Sequence, residues 1–296
     1  MFRCVLLFVI LGWALPTFSQ TPTGPAAEPT ELLSEAQTLM DRAQFRAAIS
    51  LYTQALRADP DNLAALLGRA RAYIEIASVD EALADVERAL QLAPQDALAL
   101  TLRGYLRLSA GQVDDGMADI EAARAADPQA VDPLNYLALY YIASNQAALA
   151  VDVLDESLEI DPAQPLTLNS RAVAYAFLGD NEAALADLNA AVELAPQSAL
   201  LLTNRAAHFR GLRQFDRALI DANAAIAADA EYALAYLQRC FIYVEMGKTN
   251  VGQLRQFYQL ALDDLDRYLA LTPPEDRYAR LDEYRAQIVQ IIALTP

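Results

Sequence analysis

Residues 63–96 read LAALLGRARAYIEIASVDEALADVERALQLAPQD, and residues 97–130 read ALALTLRGYLRLSAGQVDDGMADIEAARAADPQA. Laid over one another, the two stretches align Pro94 with Pro128, Ala70 with Gly104 and Ala82 with Gly116. The pattern runs on in both directions, because Pro60, Pro94, Pro128, Pro162 and Pro196 are each 34 residues apart. A fixed period of that length predicts a stacked array of helical units, each burying its apolar face against the next.

With the proline as position 32, the units are 29–62, 63–96, 97–130, 131–164, 165–198, 199–232 and a seventh from 233. Position 8 is Ala36, Ala70, Gly104, Ala138, Ala172, Ala206 and Cys240, and position 20 is Ala48, Ala82, Gly116, Ala150, Ala184 and Ala218. Small residues at both places predict two helices per unit whose backbones cross closely, with large side chains at position 11 filling the space between them. Arg107 departs from the large residues at that position, and Tyr105 is the expected substitute. Position 15 is Gly111, Asn145, Gly179 and Gly247 in four units, residue types suited to a left-handed helix end. Ser78 and Glu81 have the spacing of a capping box at the start of one second helix.

This repeat resembles the tetratricopeptide repeat family over roughly residues 29–273. The resemblance implies an all-α fold, a right-handed α-α superhelix of about seven helix-turn-helix units. It places first helices along a concave groove and second helices outside, and it implies a role in binding other proteins. The groove positions implied are 2, 5, 9, 12 and 13. In units three to five these include Leu98, Thr101, Tyr105 and Leu108; Asn135, Leu139 and Ile142; and Leu166, Asn169, Val173 and Phe177. A carboxylate-clamp member would carry Lys, Asn and Arg there, and these positions lack that basic set. An apolar groove suits an amphipathic helix or an extended apolar segment; the bland alternative is a tightly wound superhelix in which these residues pack on one another.

Two positions vary together. Position 7 is Arg69, Arg103, Arg171, Arg205 and Arg239 in five units, and position 23 is Asp85, Asp119, Asp187, Asp221 and Asp264 in the same five. The fourth unit has Leu137 and Val153 instead. Pairing with a neighbouring unit would set Arg171 against Val153, so the covariation predicts five ion pairs inside units and one Leu137–Val153 contact.

Composition limits the functions available. With 39 acidic against 22 basic side chains the formal charge is −17, which repels nucleic acid and anionic membrane surfaces alike. Phosphate-cradling glycine loops and paired cysteines are missing from the sequence, as is any nucleophile beside a plausible base. His208 is the one histidine, so a His-ligated metal site is not expected. The reading is therefore not an enzyme, with no cofactor and no metal. Cys240, at a small position, is expected to be a packing residue.

The two ends differ from the array. A short basic start and an apolar run to Leu15, followed by Pro16, Thr17, Phe18 and Ser19, have the layout of a signal peptide over residues 1–19. This implies export to a periplasmic or extracellular location, with an N-terminal membrane anchor as the alternative. Residues 20–29 read as a flexible linker and residues 30–273 as the repeat solenoid. Ala230 stands where other units have proline, and Pro273 lies nine residues later than the period requires. The insertion falls within Met246–Gln259 and predicts a second helix lengthened from about Gln253, with Arg255, Phe257 and Tyr258 as a candidate lip. Residues 275–294 carry an apolar helical spacing and are expected to form a capping helix. The apolar end, Ile288 to Leu294, offers a second use as a homo-oligomer contact. The functional expectation is a protein-interaction scaffold; the alternative is a self-associating structural component of a cell-envelope assembly.

Overall fold

The computed structural model describes residues 29–272, 277–278 and 280–295. The expected signal peptide lies outside them, as does the linker up to residue 28. The described residues form fifteen α-helices and no strand. Units one to five give the pairs α1 (Pro29–Asp41) with α2 (Phe45–Ala58), α3 (Leu63–Glu75) with α4 (Val79–Leu92), α5 (Ala97–Ser109) with α6 (Val113–Ala126), α7 (Asp132–Ala143) with α8 (Ala147–Ile160), and α9 (Pro165–Leu178) with α10 (Asn181–Leu194). Then follow α11 (Ala199–Gly211) with α12 (Phe215–Ala228), α13 (Ala233–Thr249) with α14 (Leu254–Leu271), and a last helix, α15 (Leu281–Leu294).

The chain divides into two compact units at Asp187 and Leu188. In the first, each second helix packs on its own first helix and on the next one, and consecutive first helices also touch: α1 with α3, α3 with α5, α5 with α7, and α7 with α9. The small positions act where the sequence places them. A Cβ on Gly104 would lie 3.0 Å from the Gly116 carbonyl oxygen, so α5 and α6 meet backbone to backbone. In the second compact unit α13 packs on α12 and α14, and α15 packs on α14.

Turn chemistry explains the tight connections. Gly111, Asn145 and Gly179 adopt the expected left-handed backbone, and so do Ala43, Ala77 and Arg213 at the same position. Gly247 does not: α13 runs through it to Thr249, and the Tyr258 ring fills the space a Cβ would need, 2.8 Å away. The insertion is thus shared between a longer α13, a 3-10 turn at Val251–Gln253 and a longer α14. The Ser78 capping box does not form, for Ser78 makes no side-chain cap bond. A ψ of 74° takes it out of the extended region that aims a cap oxygen at the helix N–H groups. Three first helices are capped from an extended residue with a short polar side chain, Asn62, Asp96 and Ser198. The turn at Ala230 keeps its form without proline, because the Glu231 N–H donates to Asp229 Oδ1 at 2.9 Å, as the Gln129 N–H does to Asp127 at 3.0 Å.

All five arginine–aspartate pairs are present inside their repeats. Each guanidinium donates through Nε and Nη2 to both carboxylate oxygens, at 2.7–2.9 Å. Leu137 is buried with Val153 packed against it, so the exceptional repeat is apolar as read. The remaining Nη1 reaches back to position 25 of the preceding repeat, to Thr53, Asp155, Asn189 and Asn223 from Arg69, Arg171, Arg205 and Arg239. Arg107 is explained by a different partner than expected. Its Nη1 donates to Asp119 Oδ2 at 2.7 Å, which gives that carboxylate two arginines, while Tyr105 turns instead to Tyr136.

Helix α15 covers the end of the array within the second unit. Leu281 and Ile288 are buried, Phe241 and Tyr284 rings lie 5.9 Å apart, and Arg285 pairs with Asp266 at 2.5 Å. The helix runs from Leu281 to Leu294. Cys240 is fully buried, and burial pushes its thiol far above the usual range, so it is a packing residue.

Candidate functional site

The first helices of the first unit line up side by side, and one column of side chains, position 9, runs across them: Arg71, Tyr105, Leu139 and Val173. Helical geometry divides the residues around this column. Positions 5, 8 and 12 are three and four residues apart and share one face, and position 8 is the small residue pressed against the second helix. That geometry corrects four of the sequence-derived groove residues. Leu108 (2% exposed), Ile142 (3%) and Asn169 (4%) are buried, Leu108 beside Ile120 and Leu137 and Ile142 beside Ala138 and Leu154. Thr101 is buried too. Asn135 is half-buried, and its side-chain oxygen accepts from Ser157 at 3.0 Å and Thr167 at 3.1 Å, so it ties α7 to α8 and α9.

Positions 2, 9 and 13 keep partial exposure. Leu98, Tyr105, Leu139, Val173 and Phe177 are half-buried, and Leu166 is 58% exposed. Val173 and Phe177 rest against the Ala138–Leu154 cluster of the preceding repeat, so the stripe is continuous from α7 to α9.

A polar group closes the other end of this column. Tyr105 and Tyr136 rings meet at 5.3 Å and 60°. Arg71 hydrogen-bonds the Tyr136 hydroxyl and lies in the field of Asp132, which together hold it above the usual arginine range. One turn further along α3, Glu75 has a carboxylate oxygen, Oε2, sealed from solvent with no hydrogen-bond partner. Burial lifts the Glu75 carboxyl to about 7, with Arg71 pulling the other way. Burial and the Glu75 charge raise Tyr105, against a hydrogen bond from Ser109. Burial likewise raises Tyr136. Arg71, Glu75 and Tyr136 escaped the sequence reading, which followed positions 2, 5, 9, 12 and 13 in the third to fifth repeats alone and there included Asp132. An arginine and a glutamate four apart on the position 9 and 13 line were the available signal.

The face is apolar along its stripe, with a polar end. Among the described residues no group of His, Cys, Asp and Glu could hold a metal ion, and no helix is long and apolar enough to cross a membrane.

Two family models for the tetratricopeptide repeat match, one over residues 33–97 and 101–165 and the other over 167–198. The chain belongs to the tetratricopeptide repeat family. Members of this family are generally protein-interaction scaffolds, and the fold is typically not enzymatic. Known structures carry the same tetratricopeptide repeat fold. The Cut9–Hcn1 hetero-tetramer of APC/C is 17% identical with a TM-score of 0.57, covering 87% of this chain and 55% of its own. A tetratricopeptide repeat protein from Parabacteroides merdae is 18% identical with a TM-score of 0.52, covering 90% and 98%. Human IFIT1, as a dimer with m7Gppp-AAAA, is 15% identical with a TM-score of 0.64, covering 90% and 63%. The chain therefore spans little more than half of the first of these. No curated protein matches the sequence.

Proposed function

We propose that this tetratricopeptide repeat protein is an exported scaffold that binds a partner polypeptide across the first-helix face of its first unit. The observation that carries the reading is the partly exposed apolar stripe Leu98, Leu139, Leu166, Val173 and Phe177, ending at the Tyr105–Tyr136 pair. Apolar side chains on such a face favour a partner that buries an amphipathic helix or an extended apolar segment. Export rests on the N-terminal sequence, with periplasmic or extracellular residence to follow from it.

Selection of peptides from a random display library on the full chain tests this. Leu139→Glu and Leu166→Glu are expected to abolish enrichment of apolar peptides while helical circular dichroism is unchanged; equal enrichment by both variants would remove the face from consideration. A second reading, a self-associating assembly component, is favoured by Leu294 at 76% exposure beside exposed Val289 on α15. Light scattering across a concentration series separates the two: a monomer that selects peptides supports the scaffold, and a growing oligomer lost on Leu294→Glu supports assembly.

A further inference from the structure

The second unit holds a cavity of about 520 Å³ between the turn of the sixth repeat and the lengthened hairpin of the seventh. Its walls include Arg213, Phe215 and Arg217 on one side and Met246, Asn250 and Phe257 on the other. The nine-residue insertion makes the second wall, and Phe257 is held in place by stacking on Tyr243, with ring centroids 6.3 Å apart.

The two arginines are unlike those at position 7. Among the described residues neither has a carboxylate within ion-pair distance, whereas the position 7 arginines all do. Arg217 lies 4.0 Å above the Phe209 ring and donates to Gln214 at 2.9 Å. Arg213 lies 5.5 Å above Phe215. A guanidinium held over a ring face keeps N–H donors for a further partner, and a planar carboxylate is one that it can receive.

Arg213 is also in a costly conformation. Its φ is 59°, at the turn position where the first five repeats have Ala43, Ala77, Gly111, Asn145 and Gly179. Ala43 and Ala77 take the same conformation, so the turn itself sets this backbone, and it places the Arg213 side chain at the cavity wall.

We infer that this cavity is a binding site for a carboxylate borne on a peptide segment with an adjacent apolar or aromatic residue. Arg213 and Arg217 hold the carboxylate, and Met246 and Phe257 receive the apolar group. Asp216 lines the same cavity and opposes a doubly charged phosphate more than a singly charged carboxylate. The site is built from a turn and an insertion in the second unit, and it is independent of the first-helix face proposed above.

Fluorescence anisotropy with the full chain tests it, using three labelled peptides: one ending in Phe-Leu with a free C-terminal carboxylate, one amidated with an internal Asp-Phe-Asp, and the same with Asn for Asp. Binding of either acidic peptide, weakened at least tenfold by Arg213→Gly and by Arg217→Gln, is the expected result, and the peptide that binds tells a chain end from a side chain. Arg213→Gly should melt at the same or a higher temperature, so its loss of binding is not a folding defect. Leu139→Glu should bind as the parent does. Equal affinity for the Asn peptide, unchanged binding by Arg213→Gly, or displacement by millimolar inorganic phosphate would each overturn the assignment.

Discussion

Replacing Glu75 with glutamine should change how stability depends on pH. The folded carboxyl titrates near 7 because it is buried beside the two tyrosines, against an ordinary value of 4.5. Between those values the folded chain holds a proton that the unfolded chain has released, so stability falls as pH rises through the window and is level above it. The difference of two to three pH units corresponds to about 3 kcal/mol at pH 8, as an upper figure. Glu75→Gln removes that dependence, since the amide does not titrate. Urea unfolding followed by circular dichroism at pH 4.5, 6 and 8 should show the parent losing up to about 3 kcal/mol relative to the variant across the series. Carboxyl carbon NMR of the parent should show one glutamate titrating near 7. A Glu75 resonance that titrates near 4.5, with parent and variant stabilities running parallel, would refute the argument that the groove seals this group.

Further outcomes follow from the pairing and the turns. Asp85→Ala strands the Arg69 guanidinium and should cost about 3 kcal/mol in urea unfolding, while Arg69→Leu with Asp85→Val, the arrangement natural to the fourth repeat, should recover most of it. Gly179→Ala, at φ +85°, should cost about 1 kcal/mol. Gly247→Ala drives a methyl into the Tyr258 ring and should lower stability by about 1–3 kcal/mol; Gly211, with nothing within 4 Å of its Cβ position, should accept alanine without loss. Thermal melts of the three glycine variants, ranked against the parent, check both claims.

Much of the fold was legible because the repeat makes each position a sevenfold measurement. The Arg–Asp covariation read correctly because one repeat changes both partners at once, to Leu137 and Val153. The site was less legible. Position 12 was assigned to the groove, yet it lies one turn beyond the small position 8 and so belongs to the face that meets the second helix, where Leu108 and Ile142 are buried. Glu75 could not be singled out from its own repeat, because its environment comes from Tyr105 and Tyr136, two and four helices along the array. Arg213 occupies a position that sequence assigns to glycine or asparagine, and nothing in the sequence shows that a cavity opens beside it. The longer α13 was missed because Gly247 fits a helix end as well as a close contact with an aromatic ring.

The backward reach of the position 7 arginines has a consequence for how the array comes apart. Where Nη1 spans to the preceding repeat, two neighbours share a polar link, and a disturbance in one is felt in the other, as in a one-dimensional chain of coupled spins. The fourth repeat has no such arginine, and the third and fourth repeats are joined instead by the Arg124–Glu156 ion pair at the surface and by apolar contacts of Leu108 and Ile120 with Leu137. An exposed pair is screened by salt, so that junction should loosen most as ionic strength rises and, at high temperature, be where cooperativity is first lost. Hydrogen exchange in the first unit would then divide there into two blocks, residues up to about 130 and those beyond, although the polypeptide crosses the junction without any change in its helical repeat.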